Sequence, residues 1–160
     1  MLLKEIVEKR HFNFVDRIDS WEESIRIACK PLEADGTVEP VYAEEIIKCV
    51  KKHGPYIVLI PNFAMPHSCE GAIGAKDTAI SFMKVTRPVS FDPGDPEKDA
   101  TVFFTLASVN SDIHLKNMRK LFTMLTNEEL CAELLGVTGP EDLLRLDEKY
   151  SFGDAARLDY

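Results

Sequence analysis

The spacing of the apolar residues changes twice along the chain, and this change limits the folds that the sequence can adopt. Between residues 20 and 54, apolar side chains recur at the three- and four-residue spacing of amphipathic helices. Between residues 56 and 109 they form short runs rich in Val, Ile, Phe and Thr, which are typical of strands. Helical spacing returns between residues 111 and 149. Helices on both sides of a group of strands predict a single α/β domain with a central mixed β-sheet.

Individual residues indicate where the predicted helices begin and end. The S-x-x-E sequence that begins at Ser20 has the form of a capping box at a helix start. Pro31 is expected to bend or end that helix, because proline lacks the amide hydrogen that a helix interior uses. Pro40 suits the first position of a second helix, and Gly54 suits its C-terminal cap. Three further helices are predicted near residues 115–125, 127–135 and 140–149.

Four segments are predicted to be strands: residues 56–60, 78–85, 88–91 and 101–109. The first is an apolar run between two prolines, which predicts a buried strand. The third begins with a proline, which suits the edge of a sheet. The fourth is the richest in Val, Phe and Thr and is the most strand-like. The predicted domain spans residues 1–150, and residues 151–160 are expected to form a loose C-terminal tail.

The charge of the chain excludes one class of function. Its 160 residues include 19 Lys and Arg against 27 Asp and Glu, which gives a formal net charge of −8. A chain this acidic is not expected to bind nucleic acid broadly, because phosphate backbones need a basic face. The charge is uneven, since residues 46–91 hold six basic and two acidic residues (+4) and residues 100–126 hold three and one (+2). We therefore expect a modestly electropositive pocket on an acidic body.

Targeting and cysteine patterns predict a cytoplasmic protein. No apolar run approaches the roughly 20 residues of a membrane helix, so no direct membrane insertion is predicted. The charged N-terminal residues do not resemble a signal peptide. The four cysteines lie far apart without a C-x-x-C pair and are predicted to be reduced thiols. Cys69 has no second cysteine or base near it in the sequence, so no redox role is predicted for it.

His67 is the first candidate for a functional residue. It follows an apolar run and Pro66, whose fixed φ angle limits the conformations of the segment before the histidine. Functional sites in open α/β sheets gather at strand ends. The neighbouring Phe63 and Met65 suit either a partner surface or the core. From its position alone, His67 fits a functional role as well as a structural one.

His114 strengthens this interpretation. It follows the strand predicted at residues 101–109, and Asn110 or Ser111 is suited to cap the helix that begins there. His114 then lies in the first helical turn, where free backbone amides and the helix dipole favour an anion such as phosphate. Taken alone, it also fits an exposed polar position. The other two histidines are expected to be structural or exposed.

A metal site is a competing interpretation of these residues. His67, Cys69 and Glu70 lie within four residues and His114 could add a fourth ligand, but the spacing matches no established zinc pattern. The sequence also lacks a P-loop and the glycine fingerprint of dinucleotide-binding proteins. No metal and no cofactor are therefore predicted.

Three motifs in a fixed order resemble one protein family. They are Ala-Met-Pro-His at residues 64–67, Arg-Pro-Val-Ser-Phe at residues 87–91, and His114-Leu115 in front of a leucine-rich helix. Over about residues 5–148 the chain resembles enzyme IIA of the mannitol/fructose type, from the bacterial phosphoenolpyruvate-dependent sugar phosphotransferase system. The segment from Gly54 to His67 most resembles the ascorbate-specific branch.

The resemblance implies a fold and a reaction. The fold is that of mannitol/fructose-type enzyme IIA, and the activity is that of a phosphotransferase. His67 is expected to accept a phosphoryl group from the phosphocarrier protein HPr and to pass it to a cysteine of enzyme IIB, which serves the membrane enzyme IIC. His114 is expected to assist the phosphoryl group. Family members carry an arginine some way before the histidine, where this chain has only lysines, so no residue is assigned to that role.

Two alternatives belong to other classes of function. One is a regulatory module of the same fold, which responds to its phosphorylation state without feeding a transporter. Such modules are usually fused to further domains, for which this chain has little room. The other alternative is a metal-dependent hydrolase.

Overall fold

The structure, a computed structural model, describes residues 2–69 and 72–150. Its helices are α1 (Leu2–Glu8), α2 (Trp21–Ala34), α3 (Val41–His53), α4 (Ser111–Met124), α5 (Glu128–Leu134) and α6 (Pro140–Tyr150). Its strands are β1 (Phe12–Val15), β2 (Asn62–Ala64), β3 (Ala79–Ser90) and β4 (Asp99–Ala107), with a 3-10 turn at Pro96–Lys98. In this part of the chain, no helix combines the length and apolar character needed to cross a membrane. The tail predicted at residues 151–160 lies outside the described residues.

The four strands of the described residues form one mixed sheet in the order β1-β3-β4-β2. β1 is parallel to β3 and β2 is parallel to β4, whereas β3 and β4 are antiparallel. On β4, Phe103 packs with apolar residues of α2 and α3 on one face of the sheet. Val102 and Phe104 pack with apolar residues of α1, α4, α5 and α6 on the other face. The predicted α/β domain, with a central mixed sheet between helices, is therefore confirmed.

Pro31 lies inside α2 and does not end it, contrary to one of the two predicted outcomes. Proline cannot donate to the carbonyl four residues earlier, which here belongs to Ile27. The side-chain amide of Asn13 donates to this carbonyl instead, at 2.9 Å, so the carbonyl keeps a partner. The predicted start of the helix is confirmed, because the Ser20 hydroxyl accepts a hydrogen bond from the Glu23 amide at 3.1 Å.

Residues 56–60 do not form the strand that was predicted there. Ile57 and Val58 are buried as expected. However, the Val58 amide donates to the Pro55 carbonyl at 3.2 Å, which makes a local turn. An apolar run is a strand only if its backbone groups pair with a neighbouring strand, and these groups are satisfied locally. Pairing with β4 begins only after Pro61, in β2.

Residues 88–91 are not a separate edge strand. β3 continues past Pro88 and its Val89 pairs with Ala100 of β4. Pro88 falls within an irregularity of the register, where no amide donor is needed. Gly54 ends α3 as predicted, with a positive φ of 82° that glycine adopts without strain. The other predicted elements are confirmed near residues 78–85, 101–109, 115–125, 127–135 and 140–149.

Candidate active site

The order of the strands brings the two predicted site histidines together. β2 and β4 are parallel neighbours, so their C-terminal ends lie at the same edge of the sheet. His67 follows β2 by three residues, and His114 lies in the first turn of α4, which follows β4. The centroids of the two imidazole rings are 5.7 Å apart, and the ring planes are inclined by 48°. This is the distance of two aromatic rings in contact, so a group carried by one ring would lie against the other.

Three hydrogen bonds fix the backbone at residues 66, 67 and 68. The Leu106 amide of β4 donates to the Pro66 carbonyl at 2.9 Å. The Tyr56 hydroxyl donates to the carbonyl of His67 itself at 2.5 Å. The Ser68 amide donates to the Tyr42 hydroxyl at 3.4 Å. His67 is therefore on a segment that three residues from other parts of the chain fix in place.

The tyrosine below this segment is itself anchored. The Tyr42 side chain is almost fully buried, and its hydroxyl donates to the Leu106 carbonyl at 2.5 Å. Burial raises the pKa of Tyr42, so the hydroxyl keeps its proton. One phenol thus connects α3, β4 and the loop that begins at His67.

The ring of His67 has a defined tautomer. Its Nδ1 atom lies 2.5 Å from the Met65 carbonyl oxygen. A carbonyl oxygen only accepts hydrogen bonds, so Nδ1 carries the proton and the lone pair of the neutral ring is on Nε2. The residue is 8% exposed. Burial lowers the pKa of His67, although the hydrogen bond to Met65 opposes part of that change, so the neutral form predominates at pH 7.

His114 is held by its backbone, while its ring nitrogens are unpaired. Its amide donates to the Asn110 carbonyl at 2.9 Å, as expected in the first turn of a capped helix. Among the described residues, neither Nδ1 nor Nε2 of His114 has a hydrogen-bond partner, and both atoms are shielded from solvent. Burial and the nearby His67 lower the pKa of His114 to about 4. A buried polar group without a partner destabilises the fold by about 1–3 kcal/mol. Such unpaired groups are rare in folded proteins, so this pair of nitrogens calls for a functional explanation.

A cavity of about 340 Å³ opens beside His114. Its lining residues are Tyr42, Ser68, Cys69, Ala72, Ser108, Val109, Ser111 and His114. The lining is rich in hydroxyl groups, but none of its described residues is a lysine or an arginine. These lining residues do not supply the positive charge that the charge distribution predicts, whereas Arg119 of the second window lines a separate groove.

The helix amides are also less available than the sequence suggested. The Asn110 side chain accepts hydrogen bonds from the amides of Asp112 and Ile113, at 2.9 and 3.0 Å. The cap that starts α4 therefore occupies two of the donors that were expected to be free. Asp112 also places a carboxylate in the first turn. The cavity lining offers hydroxyl groups and the His114 ring as donors.

An apolar groove of about 500 Å³ lies next to the cavity. It is lined by Leu59, Met65, Leu115, Met118, Arg119, Phe122 and Thr123. Phe63 and Met65, the two candidates for an exposed partner surface, are both buried. Leu59, Leu115 and Phe122 are exposed instead, and they share the groove with Met65, whose carbonyl contacts the His67 ring. Exposed apolar clusters next to a reactive group are typical of protein-docking surfaces.

A comparison with protein families matches almost the whole chain. The model of the family described as "Phosphoenolpyruvate-dependent sugar phosphotransferase system, EIIA 2" covers residues 5–149. The chain belongs to this family. It is therefore a phosphotransferase that serves as a phosphocarrier of a sugar phosphotransferase system.

Individual enzyme IIA relatives agree with this assignment. The ascorbate-specific PTS system EIIA component of Escherichia coli (strain K12) is 26% identical over 149 residues, which are 92% of this chain and 96% of that protein. The structure of PtxA, a PTS IIA of Streptococcus mutans, matches with a TM-score of 0.82 and 25% identity over 97% of both chains. The complex of enzyme IIAMtl and phosphorylated enzyme IIBMtl from Escherichia coli shares the fold, with a TM-score of 0.67 and 23% identity over 87% of this chain and 94% of that chain. The predicted resemblance and fold are confirmed.

Sequence reasoning missed the two tyrosines of this enzyme IIA site. Tyr42 falls within the second predicted helix, and Tyr56 is the first residue of a predicted strand. Both interpretations treat the phenol as an apolar side chain, whereas the hydroxyl groups make the contacts to the loop around His67. The signal that could have found them is the polar end of a tyrosine at a buried position, since such hydroxyls almost always have a hydrogen-bond partner.

Proposed function

We propose that His67 accepts a phosphoryl group from phosphorylated HPr and passes it to a cysteine of an enzyme IIB, in a cytoplasmic system for the uptake of a sugar. The observation that carries this proposal is the pair of histidines at one sheet edge. One ring has its Nε2 lone pair free for attack, and the other ring, whose centroid is 5.7 Å away, has two unpaired nitrogens. Phosphoryl transfer requires chiefly such positioning and charge stabilisation.

The proposed transfer uses His67 first as a nucleophile. The Nε2 lone pair forms a bond to phosphorus while the bond from phosphorus to the ring nitrogen of the HPr histidine breaks, and no water is consumed. Nδ1 keeps its proton during this step. The Met65 carbonyl then accepts a hydrogen bond from a ring that has become cationic, which stabilises the phosphorylated form. The second transfer reverses these events, with a thiolate of enzyme IIB as the new nucleophile.

His114 is proposed to donate a hydrogen bond to the transferred group. A neutral imidazole has one N–H donor, and the nearby phosphoryl charge favours protonation of the second nitrogen. The unpaired nitrogens of His114 would then gain a partner that they lack in the free protein. Hydroxyl groups of Ser68, Ser108 and Ser111 in the adjacent cavity are further donors within the same space. These groups take the place of the arginine that the family resemblance implies.

The partner proteins are proposed to dock on the apolar groove. Leu59, Leu115 and Phe122 are exposed apolar residues of the groove, and Arg119 contributes a positive charge there. HPr and enzyme IIB must each bring a reactive side chain to His67, so both have to cover the same patch in turn. Enzyme IIB as a partner is supported by the mannitol-type complex that shares the fold. The membrane enzyme IIC would be reached through enzyme IIB.

The proposed sugar is L-ascorbate, because the curated relatives are ascorbate-specific EIIA components. Sugar specificity belongs to the partner subunits in such a relay. The assignment therefore has to be tested through the enzyme IIB that accepts the phosphoryl group.

A transfer assay tests the proposal. Incubation with phosphoenolpyruvate, enzyme I and HPr should give an acid-labile phosphoprotein, and His67→Ala should not be labelled. His53→Ala is the matched control, because His53 is an exposed histidine at the end of α3. Labelling of His67→Ala at the wild-type rate would contradict the assignment of the acceptor.

A panel of enzyme IIB proteins then tests which of them accepts the phosphoryl group from this chain. The phosphorylated chain should transfer fastest to an ascorbate-type enzyme IIB, measured as loss of label from His67. Faster transfer to another type of enzyme IIB would contradict L-ascorbate as the sugar and would indicate the sugar of that enzyme IIB instead. Labelling by HPr without transfer to any enzyme IIB, together with a stable regulator in a pull-down, would favour the regulatory alternative.

A further inference from the structure

Two buried hydroxyl groups are in contact at one end of the β3–β4 pair. Ala79 and Ala107 are the last paired residues at this end of the antiparallel ladder. Thr78 and Ser108 extend the pairing by one position, and their hydroxyl oxygens are 3.1 Å apart. Both residues are buried, with exposed fractions of 6% and 7%. A side-chain hydrogen bond thus continues the sheet into the loop that leads to α4.

The Ser108 hydroxyl also holds both polar groups of the Asn110 backbone. It donates to the Asn110 carbonyl at 3.1 Å and accepts from the Asn110 amide at 3.2 Å. A hydroxyl group has one proton, so Thr78 is the donor in the contact between the two side chains. One hydroxyl therefore joins the start of β3 to the backbone of the residue that caps α4.

Asn110 passes this position on to His114. The Asn110 carbonyl accepts from the His114 amide at 2.9 Å, and the Asn110 side chain caps the first turn of α4. Val109 and Asn110 are themselves exposed, so burial contributes little to holding this loop. The hydrogen bonds from Ser108 hold it instead, and they set where the first helical turn begins.

We propose that Ser108 is a positioning residue of phosphoryl transfer, which acts through Asn110 on the ring of His114 and is oriented by Thr78. Ser108 and His114 line the same cavity, so displacement of the first turn of α4 moves the His114 ring relative to that cavity. A hydrogen-bond donor accelerates transfer where it is preorganised, and a misplacement of about 1 Å can reduce a rate by about 10²-fold. The effect on transfer rests on the proposed function, in which His114 is a donor, whereas the effect on the first turn does not.

Hydrogen exchange in the free protein tests the positioning itself. Ser108→Ala removes the hydroxyl, Thr78→Val removes the donor to it, and Thr78→Ser keeps that donor. Thr126→Ala is the matched control, because the Thr126 hydroxyl donates to the Thr123 carbonyl at 2.6 Å near the opposite end of α4. Exchange of the His114 amide, measured by NMR, should accelerate about tenfold in Ser108→Ala and by a smaller factor in Thr78→Val. It should stay at the wild-type rate in Thr78→Ser and Thr126→Ala.

Single-turnover labelling by phosphorylated HPr tests the consequence for transfer. At saturating HPr, the rate of Ser108→Ala should fall by about tenfold, while the HPr concentration that gives half of the maximal rate stays unchanged. Thr126→Ala should match wild type. In a His114→Ala background, Ser108→Ala should cause no further loss, because two residues that act through one another are not additive.

Two results would overturn the inference. One is an equal loss of rate from Ser108→Ala in the wild-type and His114→Ala backgrounds, since the hydroxyl would then act on the transferred group directly or on the fold as a whole. The other is a wild-type exchange rate of the His114 amide in Ser108→Ala. Failure of the wild-type chain to accept label from HPr would instead contradict the proposed function, and the exchange experiment would still decide whether Ser108 holds the first turn of α4.

Discussion

The Nδ1–H group of His67 donates a hydrogen bond to the Met65 carbonyl, two residues earlier, at 2.5 Å. The ring is therefore oriented by the backbone of its own segment rather than by a carboxylate. Pro66 lies between the two residues and restricts the segment that places donor and acceptor together. The consequence is a neutral ring with one defined nucleophilic nitrogen.

This tautomer predicts phosphorylation at Nε2. Attack through Nδ1 would require the loss of the hydrogen bond to Met65 and rotation of a ring that is 8% exposed. Nitrogen-15 and phosphorus-31 NMR of the phosphorylated chain should show phosphorus coupled to Nε2 and a proton on Nδ1. Coupling to Nδ1 would show that the ring turns before it reacts.

Removal of the His114 ring should slow transfer without unfolding the chain. Loss of one preorganised donor to a developing negative charge typically reduces a rate by about 10²-fold. We expect a decrease of this order for His114→Ala and a smaller one for His114→Gln, which retains an N–H donor. Single-turnover labelling by phosphorylated HPr measures the rate, and far-UV circular dichroism checks the fold. Unchanged rates for both variants would remove His114 from the site.

The depressed pKa of His114 predicts a loss of stability in mild acid. The folded chain holds this ring with a pKa of about 4, whereas the ordinary value is 6.5. Between these values the unfolded chain binds the proton and the folded chain does not, so the free energy of unfolding decreases as the pH falls from 6.5 towards 4. His67, whose pKa is also lowered, acts in the same direction.

His114→Gln isolates this contribution. The variant should lose about 1–2 kcal/mol less than wild type between pH 7 and pH 4, after allowance for partial screening by solvent. Urea unfolding at a series of pH values measures the difference. His53→Gln serves as the control on an exposed histidine and should follow wild type. Parallel decreases for wild type and His114→Gln would contradict the prediction.

Tyr42→Phe should destabilise the loop around His67. The hydroxyl donates to the Leu106 carbonyl and accepts from the Ser68 amide, so its removal leaves a buried carbonyl without that donor. We expect a loss of about 1–3 kcal/mol in the free energy of unfolding, measured with urea. Tyr150→Phe is the control, because the Tyr150 hydroxyl contacts Glu133 at the surface, where such pairs contribute little. An equal effect of the two variants would argue against a special role for the buried phenol.

A polar side chain in the apolar groove should weaken docking. Leu115 is 48% exposed in the groove, and Leu144 is 39% exposed on α6. Leu115→Ser should raise the KM for phosphorylated HPr by about tenfold with little change in Tm, because truncation of a central interface residue typically costs 1–2 kcal/mol or more. Leu144→Ser should leave the KM unchanged. Equal KM values for both variants would place the docking surface elsewhere.

The sequence predicted the two histidines of the site but not their surroundings. Each histidine follows a predicted strand, so a shared sheet edge was a reasonable expectation. The sequence pattern could not indicate that β2 pairs in parallel with β4. This pairing is what makes the two strand ends neighbours. The hydroxyl groups of Tyr42 and Tyr56 bond to residues between 11 and 64 positions away in the chain, and no local pattern encodes these contacts.

Two errors have a physical cause in local competition for hydrogen bonds. The expected anion site in the first turn of α4 assumed free amides, but the Asn110 side chain that starts the helix also occupies them. The expected strand at residues 56–60 assumed ladder pairing, but the Pro55 carbonyl captures an amide of that run. In both places a residue at or next to the boundary of an element accepts a hydrogen bond from an amide that the prediction counted as available.

The place of β2 in the sheet has a consequence for how the protein loses activity. β2 has three residues, lies at the edge of the described sheet and is followed by His67 three residues later. Short edge strands belong to the parts of a domain that open locally at low cost, while the core stays folded. Fraying of this edge would separate the two imidazoles long before global denaturation. Catalytic competence would then be lost ahead of the bulk melting transition, and amide exchange at β2 would report it first.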